Sequence, residues 1–255
     1  MAQIISVVNQ KGGVGKTTTA INLGAYLAAL GKFVLLVDFD PQANATSGLG
    51  VDQNRLTKSV YDSVISNLDM REIVVNSAIP GYKLIPAHND LAGANIDLVN
   101  MANREFKLQE ALLGIRNDYD YILIDCPPSL GLLTINGLVA ADKILIPVQA
   151  EYYALEGLGQ LINTVNLIKQ NLKPELDILG AVLTMYDRRN KLSDEVLMQL
   201  YQYFPQRIFR TVIPRNIRLT ESPSHGKTIL EYDHHSKGAK AYERLAREIL
   251  DLTII

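Results

Sequence analysis

The sequence predicts an α/β fold, a mostly parallel twisted sheet with helices on both faces. Short apolar runs alternate along the chain with segments of helical periodicity, as they do in parallel α/β proteins. The run at residues 33–39 is apolar at nearly every position, which is typical of a strand buried on both faces. The length of 255 residues suits one domain, which we place at residues 1–255.

The elements follow one another in the order that such a fold requires. Residues 4–8 form the first predicted strand, and residues 17–30 form a helix that Gly31 ends as a C-cap glycine. Residues 33–39 are the second strand, and the polar stretch at 53–59 is a surface connection. Further strands are predicted at 83–85, 121–125, 143–147, 178–185 and, as a short one, 211–213. Further helices are predicted at 104–115, 132–140, 154–170, 194–203 and 237–252.

Composition indicates an ordinary globular protein of the cytoplasm. The net charge of −2 points by itself to neither nucleic acid nor membrane as a partner. The single cysteine, Cys126, excludes an intramolecular disulfide and a multi-cysteine metal site, so we expect a reducing compartment. The N-terminus lacks the basic region of a signal peptide, and no apolar run approaches the roughly 18 residues of a membrane span.

A glycine-rich loop between the first strand and the first helix predicts a phosphate site. Its backbone N–H groups would converge on an anion at the positive end of the helix. Lys16 would contact the β- and γ-phosphates, and the Thr17 hydroxyl would coordinate Mg²⁺. The loop departs from the standard G-x-x-x-x-G-K-[ST] pattern, because Gln10 replaces the first glycine and Lys11 follows it. The predicted phosphate-binding residues are Lys11, Gly12, Gly13, Val14, Gly15, Lys16, Thr17 and Thr18.

Three aspartates stand at the ends of apolar strands. Asp38, Asp40 and Asp125 would lie at the carboxyl edge of the sheet, where doubly wound folds bind ligands. One aspartate at a strand end is commonly a turn former, but three beside a phosphate loop favour a site. We expect Asp125 to hold Mg²⁺ through a bound water.

Three segments carry a resemblance to a known family. Residues 9–18, Asn-Gln-Lys-Gly-Gly-Val-Gly-Lys-Thr-Thr, resemble the deviant Walker A motif of the ParA/MinD ATPases, with Lys11 as the additional lysine. Residues 37–46 and 122–129 resemble the family's second and third motifs, and the similarity continues to residues 212–216. Within that family the chain is most similar to the small chromosomal ParA proteins, also called Soj.

The resemblance implies a P-loop ATPase that works as a switch, binding ATP with Mg²⁺ and hydrolysing it slowly. Lys11 would reach the nucleotide of a second subunit in a sandwich dimer. Lys11, Lys16 and Asp40 would be the catalytic residues, with Asp40 positioning the attacking water and Asp38 supporting the metal site. Pro214 and Asn216 would hold the adenine.

A basic stretch suggests what the dimer binds. Between residues 188 and 227 there are eight basic and three acidic residues, in a chain whose total charge is negative. Such a patch is typical of contacts with a phosphate backbone. The resemblance implies nonspecific double-stranded DNA, a nucleoid location and a ParB-like activating partner. Arg189 and Arg218 are the first candidate DNA contacts, with Arg188 next.

The resemblance thus implies a DNA-partitioning switch for chromosome or plasmid segregation, and three other functions compete with it. A MinD-like membrane switch would use the C-terminal helix, but its polar face mixes acidic with basic residues, so docking on the domain is favoured and no membrane is expected. A nitrogenase-reductase type of enzyme would need several cluster-ligating cysteines. An ATP-sensing transcription factor would need a helix-turn-helix domain before the loop, for which ten residues are too few.

Overall fold

The computed structural model describes residues 1–151, 156–204 and 207–253, and these form a seven-stranded sheet. Its strands are β1 (Gln3–Val7), β2 (Val34–Asp38), β3 (Val75–Asn76), β4 (Tyr82–Ile85), β5 (Tyr121–Asp125), β6 (Lys143–Gln149) and β7 (Asp177–Thr184). They lie in the order β3-β4-β2-β5-β1-β6-β7, and β3 alone pairs antiparallel. The predicted mostly parallel sheet is therefore confirmed.

Helices cover both faces of this sheet. They are α1 (Lys16–Ala29), α2 (Asn44–Gly48), α3 (Val60–Ser66), α4 (Ala94–Asp97), α5 (Lys107–Leu113), α6 (Leu132–Ala140), α7 (Glu156–Asn171), α8 (Lys191–Tyr203), α9 (Ile217–Glu221), α10 (Ile229–Asp233) and α11 (Lys237–Thr253). One apolar core lies between the sheet and α1, α10 and α11. A second core lies between the opposite face and α3, α5, α6, α7 and α8.

The connection from α1 to β2 shows why the chain turns where the sequence predicts. Gly31 adopts φ +87°, a backbone conformation that a side chain would strain. Its N–H donates to Ala28 O at 2.9 Å, and the N–H of Lys32 donates to Leu27 O at 3.1 Å. These bonds satisfy carbonyls at the end of the helix, so the C-cap prediction is confirmed.

The predicted strand at 211–213 is wrong. The stretch 208–214 runs beside β7 but forms only isolated bridges with it, from Ile208 to Ala181 and from Pro214 to Tyr186, and residues 211–213 belong to neither bridge. The N–H groups of residues 210 and 211 donate instead to the carboxylate of Glu248 on α11, which withdraws them from any ladder.

Two predicted helices differ in extent from those of the structure. The helix predicted at 104–115 is confined to Lys107–Leu113, because turns precede it and a 3₁₀ turn, Arg116–Asp118, follows it. The helix predicted at 154–170 starts outside the described residues, and its described part is Glu156–Asn171.

Within the described ranges, no helix is both long enough and apolar enough to cross a membrane.

Candidate nucleotide site

The loop between β1 and α1 is shaped by two glycines and fastened to two strands. Gly13 and Gly15 have φ of +74° and +89°, which only glycine adopts without strain. The Asn9 amide donates to Pro147 O on β6 at 2.8 Å. The Thr184 hydroxyl at the end of β7 donates to Val14 O at 2.7 Å. The loop is therefore a fixed concave surface at the N-terminus of α1, which suits an anion.

Lys16 extends back across this loop. Its side chain is buried, and its ammonium group donates to Lys11 O at 3.2 Å. Burial lowers the pKa of Lys16, while the nearby carboxylates of Asp125 and Asp40 offset part of that effect. A cation held in this way gains strongly from a phosphate that replaces the weak carbonyl contact.

The carboxylates of β2 and β5 lie side by side beneath the loop. Asp38 and Asp125 are paired in register on neighbouring strands, and both are completely buried. Thr46 donates to Asp38 Oδ2 from its N–H and from its hydroxyl, each at 2.7 Å. Burial raises the pKa of Asp38 to about 6, although the hydrogen bonds from Thr46 reduce the rise. Through these hydrogen bonds Asp38 fixes the segment that follows β2.

Asp125 has the features of a cation ligand. Among the described residues, neither of its carboxylate oxygens has a hydrogen-bond partner of normal geometry. Burial raises its pKa well above the usual value, Asp38 raises it further, and the nearby Thr17 hydroxyl lowers it. A buried carboxylate without partners is costly unless a cation compensates it. Carboxylate and hydroxyl oxygens are the ligands that Mg²⁺ prefers, so Thr17 and Asp125 fit this ion.

A cavity of about 850 Å³ opens above these residues. This volume lies within the range of sites that bind molecules of nucleotide size. Asp40 reaches the cavity wall, and its Oδ1 accepts the N–H of Gln42 at 2.9 Å. The predicted residues that line the cavity are Gly12, Gly13, Gly15, Lys16, Thr17, Thr18, Asp40, Pro214 and Asn216.

The far end of the cavity is suited to a flat, mostly apolar group. Ile213, Leu219 and Pro223 contribute apolar walls there. Asn216 is the N-cap of α9, and its Oδ1 accepts the N–H of Arg218 at 2.8 Å. Because the oxygen is engaged in this way, the amide NH₂ is the part of Asn216 that can donate to a ring nitrogen.

Other predicted residues lie outside the cavity wall. Val14 is buried below the loop, and Asp38 and Asp125 lie beneath it. Lys11 points away from the cavity, and its ammonium group forms an ion pair with Glu151 at 3.0 Å. Within this protomer the Lys11 side chain therefore does not face the cavity, and its predicted role toward a second subunit stays a prediction.

The candidate DNA-binding arginines lie next to the nucleotide cavity but outside it. Tyr186 and Pro214 form a bridge at the end of β7. Arg188 and Arg189 come shortly after Tyr186 in the chain, and Arg218 comes shortly after Pro214. All three arginines are exposed. The basic stretch counted along the sequence does not form a single patch, because Arg207 pairs with Asp177 at the opposite end of β7. Lys191, also counted there, has a side chain outside the described residues.

Sequence reasoning missed several residues that organise this site. Thr184 holds the phosphate loop, and Glu151 holds Lys11. Tyr242 on α11 lines the cavity and shares a hydrogen bond of 3.1 Å with Thr19 of α1. Each lies more than a hundred residues from its partner, so no local pattern indicates it. Thr46 is the exception, because it closes the second motif eight residues after Asp38.

Comparisons with known proteins agree with this architecture. A family profile described as an AAA domain matches residues 2–178. The sporulation initiation inhibitor protein Soj of Bacillus subtilis is 53% identical over 249 residues, which cover 98% of each chain. The chromosome-partitioning ATPase Soj of Treponema pallidum is 50% identical over 250 residues, again 98% of each chain.

A solved structure shares both the fold and the nucleotide chemistry. It is a cobyrinic acid a,c-diamide synthase from Mycobacterium smegmatis with a bound ATP analog and magnesium. It superimposes with a TM-score of 0.88 at 38% sequence identity, and covers all of this chain and 96% of its own. With whole-length relatives at half identity or more and three matching motifs, the chain belongs to the ParA/Soj group of the ParA/MinD ATPases.

Proposed function

We propose that this protein is an ATP-dependent partitioning switch of the cytoplasm, located on the nucleoid. It binds ATP with Mg²⁺, dimerises, binds double-stranded DNA without sequence preference, and is reset when a ParB-like partner stimulates slow hydrolysis. The observation that carries the proposal is the convergence of Lys16, Thr17 and Asp40 on one cavity above the unpartnered Asp125. The whole-length relative named as a chromosome-partitioning ATPase supports partitioning as the role of the switch.

The residues of the cavity divide the work of hydrolysis. The loop N–H groups and Lys16 bind the β- and γ-phosphates, and Thr17 and Asp125 would hold the metal, the latter through a water. A bound Mg²⁺ would neutralise charge that develops on the phosphates. Asp40 orients the attacking water and accepts its proton, and Pro214 with Asn216 receives the adenine. The protein's main contribution is positioning and electrostatic stabilisation.

Dimerisation gives the second subunit a part in the reaction. Lys11 is a half-buried residue of the loop, and its ammonium group pairs with Glu151. A partly exposed ion pair of this kind is weak, so a partner's phosphates can displace it. In the dimer, Lys11 supplies positive charge to the partner's nucleotide. The dimer then persists while ATP is bound, so the rate of hydrolysis sets its lifetime.

Two alternatives have less support. A membrane switch would use the apolar stripe of α11, but Tyr242, Leu245 and Ile249 are buried against the protein. The apolar end of the chain, residues 252–255, lies partly outside the described residues. A biosynthetic enzyme on this core would follow the example of the diamide synthase, which is 38% identical, whereas relatives named as chromosome-partitioning proteins reach 50%.

The decisive experiment measures DNA binding and ATP hydrolysis together. Wild type and Asp40→Ala are titrated with a 40-base-pair duplex in the presence of ATP, ADP or no nucleotide, with Mg²⁺ throughout. We expect DNA binding with ATP alone, and loss of hydrolysis by ~10²-fold or more in the variant, the usual contribution of a positioned acid or base. The variant should remain bound to DNA with ATP when wild type has dissociated.

Asp52→Ala is the matched control, because Asp52 is an exposed acidic residue of the next segment that does not line the cavity. It should hydrolyse ATP and release DNA like wild type. Equal DNA binding of the wild type in all three nucleotide conditions would refute the switch. Retained hydrolysis in Asp40→Ala would refute the assignment of Asp40.

A further inference from the structure

Two of the three candidate DNA-binding arginines are already bound by carboxylates of their own chain. Arg189 forms a two-point pair with Asp187, from Nε to Oδ1 at 3.1 Å and from Nη2 to Oδ2 at 2.9 Å. Arg189 is 90% exposed, so this two-point contact orders a side chain that solvent would otherwise leave free to rotate. Hydrogen bonds from Arg189 lower the pKa of Asp187 to about 2, which keeps the carboxylate ionised in the cell.

Arg218 is held by two carboxylates. Its Nη1 contacts Glu221 Oε2 at 3.0 Å, one turn along α9, and its Nε lies 3.6 Å from Asp233 Oδ2 on α10. The Tyr232 hydroxyl donates to the same Glu221 oxygen at 3.1 Å, which fixes the position of the carboxylate. Two of the three nitrogens of this guanidinium group, Nη1 and Nε, are therefore engaged before DNA arrives.

These carboxylates offer the arginines the same kind of acceptor oxygens that a phosphate group would offer. A guanidinium group binds carboxylate and phosphate with the same forked arrangement of N–H donors. Each donor engaged by an internal carboxylate must be released before it can bind DNA, and the carboxylate left behind repels the phosphate backbone. Arg188 differs, because no ion pair is found for it among the described residues.

We infer that Asp187, Glu221 and Asp233 are built-in competitors of DNA, which keep the single protomer from binding it. The inference rests on the proposed function and adds a mechanism to its gating. Exposed ion pairs are weak individually, so several simultaneous phosphate contacts can displace them. A dimer that presents both sets of arginines to one duplex gains those contacts, whereas a protomer with half of them does not.

The test removes the three negative charges while keeping the local geometry. The triple variant carries Asp187→Asn, Glu221→Gln and Asp233→Asn. The amide oxygens can still accept the N–H groups of Arg189 and His235 that the aspartates now cap. DNA affinity of the nucleotide-free protein is measured by fluorescence anisotropy with a 40-base-pair duplex over a range of salt concentrations.

The expected result is a gain of about twofold to fivefold in affinity for each carboxylate removed, the range that exposed ion pairs provide. The slope of log affinity against log salt should steepen by ~0.9 for each additional phosphate contact. Adding Arg218→Ala to the triple variant should cancel the part of the gain that Glu221 and Asp233 account for.

A second triple variant controls for net charge. Glu72→Gln, Asp118→Asn and Glu243→Gln also remove three carboxylates from exposed ion pairs, with Lys58, Arg71 and Arg247. It should change DNA affinity much less than the first variant and leave the salt slope unchanged. Equal effects of the two triple variants would overturn the competitor mechanism.

The wild-type titration separates this inference from the proposal on which it rests. If wild type with ATP does not bind DNA, the proposed function fails, whatever the variants do. If wild type binds DNA only with ATP, and the first triple variant without nucleotide still matches wild type, the proposed function stands and the competitor mechanism fails.

Discussion

At the scale of single residues, the site depends on buried polar groups that hydrogen-bond to one another. Thr46 is the clearest case, because its hydroxyl donates to Asp38 at 2.7 Å and accepts the N–H of Ala87 at 2.9 Å. Asp38 in turn accepts the N–H of Asp40 at 3.3 Å. A threonine side chain thus links the buried carboxylate to the residue that we assign to water activation.

Thr46→Val should therefore destabilise the protein and slow hydrolysis. Valine keeps the shape but leaves the Ala87 N–H and an Asp38 oxygen with fewer partners, at ~1–3 kcal/mol for each unsatisfied buried group. We expect the free energy of unfolding in urea to fall by about 2–4 kcal/mol and kcat for ATP to decrease. Thr46→Ser, which keeps the hydroxyl, should retain most of the activity. A valine variant that is as active and as stable as the serine variant would show that the hydroxyl is not needed.

The phosphate loop is the part of the site that single residues predict best. Its glycines, Lys16 and Thr17 are consecutive, so their chemistry is visible in one short segment. Thr184 at the end of β7 and Glu151 just after β6, by contrast, reach the loop because the sheet orders its strands β1-β6-β7. A threonine or glutamate at a strand end has no sequence signal of its own, because only the strand order decides what it meets.

At the scale of elements, apolar strands were the most predictable part of the fold. The limits predicted for β5 and α6 match those of the structure, since both are buried and are bounded by polar or turn-forming residues. Helices α9 and α10 were not predicted, because five residues are too few to show a helical period. They form because polar side chains cap them, Asn216 for α9 and Thr228 for α10.

The base of the sheet depends on one carboxylate that joins three elements. Asp177 at the start of β7 pairs with Lys143 at the start of β6, at 3.0 Å, and with Arg207 beside β7. Partial burial alone would raise the pKa of Asp177, but hydrogen bonds from Arg207 and Lys143 outweigh it and lower the pKa to about 2. The ionised form is therefore the one that the folded state stabilises.

This contact predicts a specific pH dependence of stability. Because the folded-state pKa lies below the unfolded value of about 3.9, the contribution is present above pH 4 and is lost as the pH falls through about 2. Asp177→Asn should lower the free energy of unfolding by about 1 kcal/mol at pH 7. The difference from wild type should shrink between pH 4 and pH 2. Glu243→Gln, which breaks an exposed pair with Arg247 on α11, should change stability little. A difference for Asp177→Asn that is constant with pH would contradict the mechanism.

At the scale of the whole molecule, the C-terminal helix completes the nucleotide site. Tyr242 on α11 is buried, lines the cavity and contacts Thr19 on α1, 223 positions earlier in the chain. The apolar stripe of α11, which in the sequence suggested either a membrane helix or docking on the domain, therefore packs against the protein itself. The sequence contains that stripe but not its target, because periodicity shows that a face is buried and not which surface covers it.

Gly12 allows dimerisation to be tested separately from folding. The residue is exposed at the mouth of the phosphate loop, and a Cβ built there would meet no described atom of the protomer within 4 Å. A side chain at this position therefore has room in the single chain, and we expect it to meet a subunit that closes over the nucleotide. Gly12→Val should leave the protomer folded, with a melting temperature within ~2 °C of wild type, as for other surface substitutions.

Light scattering coupled to gel filtration gives the measurement, in the background of Asp40→Ala so that ATP is not consumed. With ATP and Mg²⁺, Asp40→Ala should elute at twice the mass of the protomer, and Gly12→Val/Asp40→Ala at the mass of one. Because DNA binding is proposed to need the dimer, the double variant should also lose it while its arginines remain intact. A Gly12→Val dimer of full mass would mean that the subunits do not meet over the phosphate loop, and Lys11 would then have no route to a partner's nucleotide.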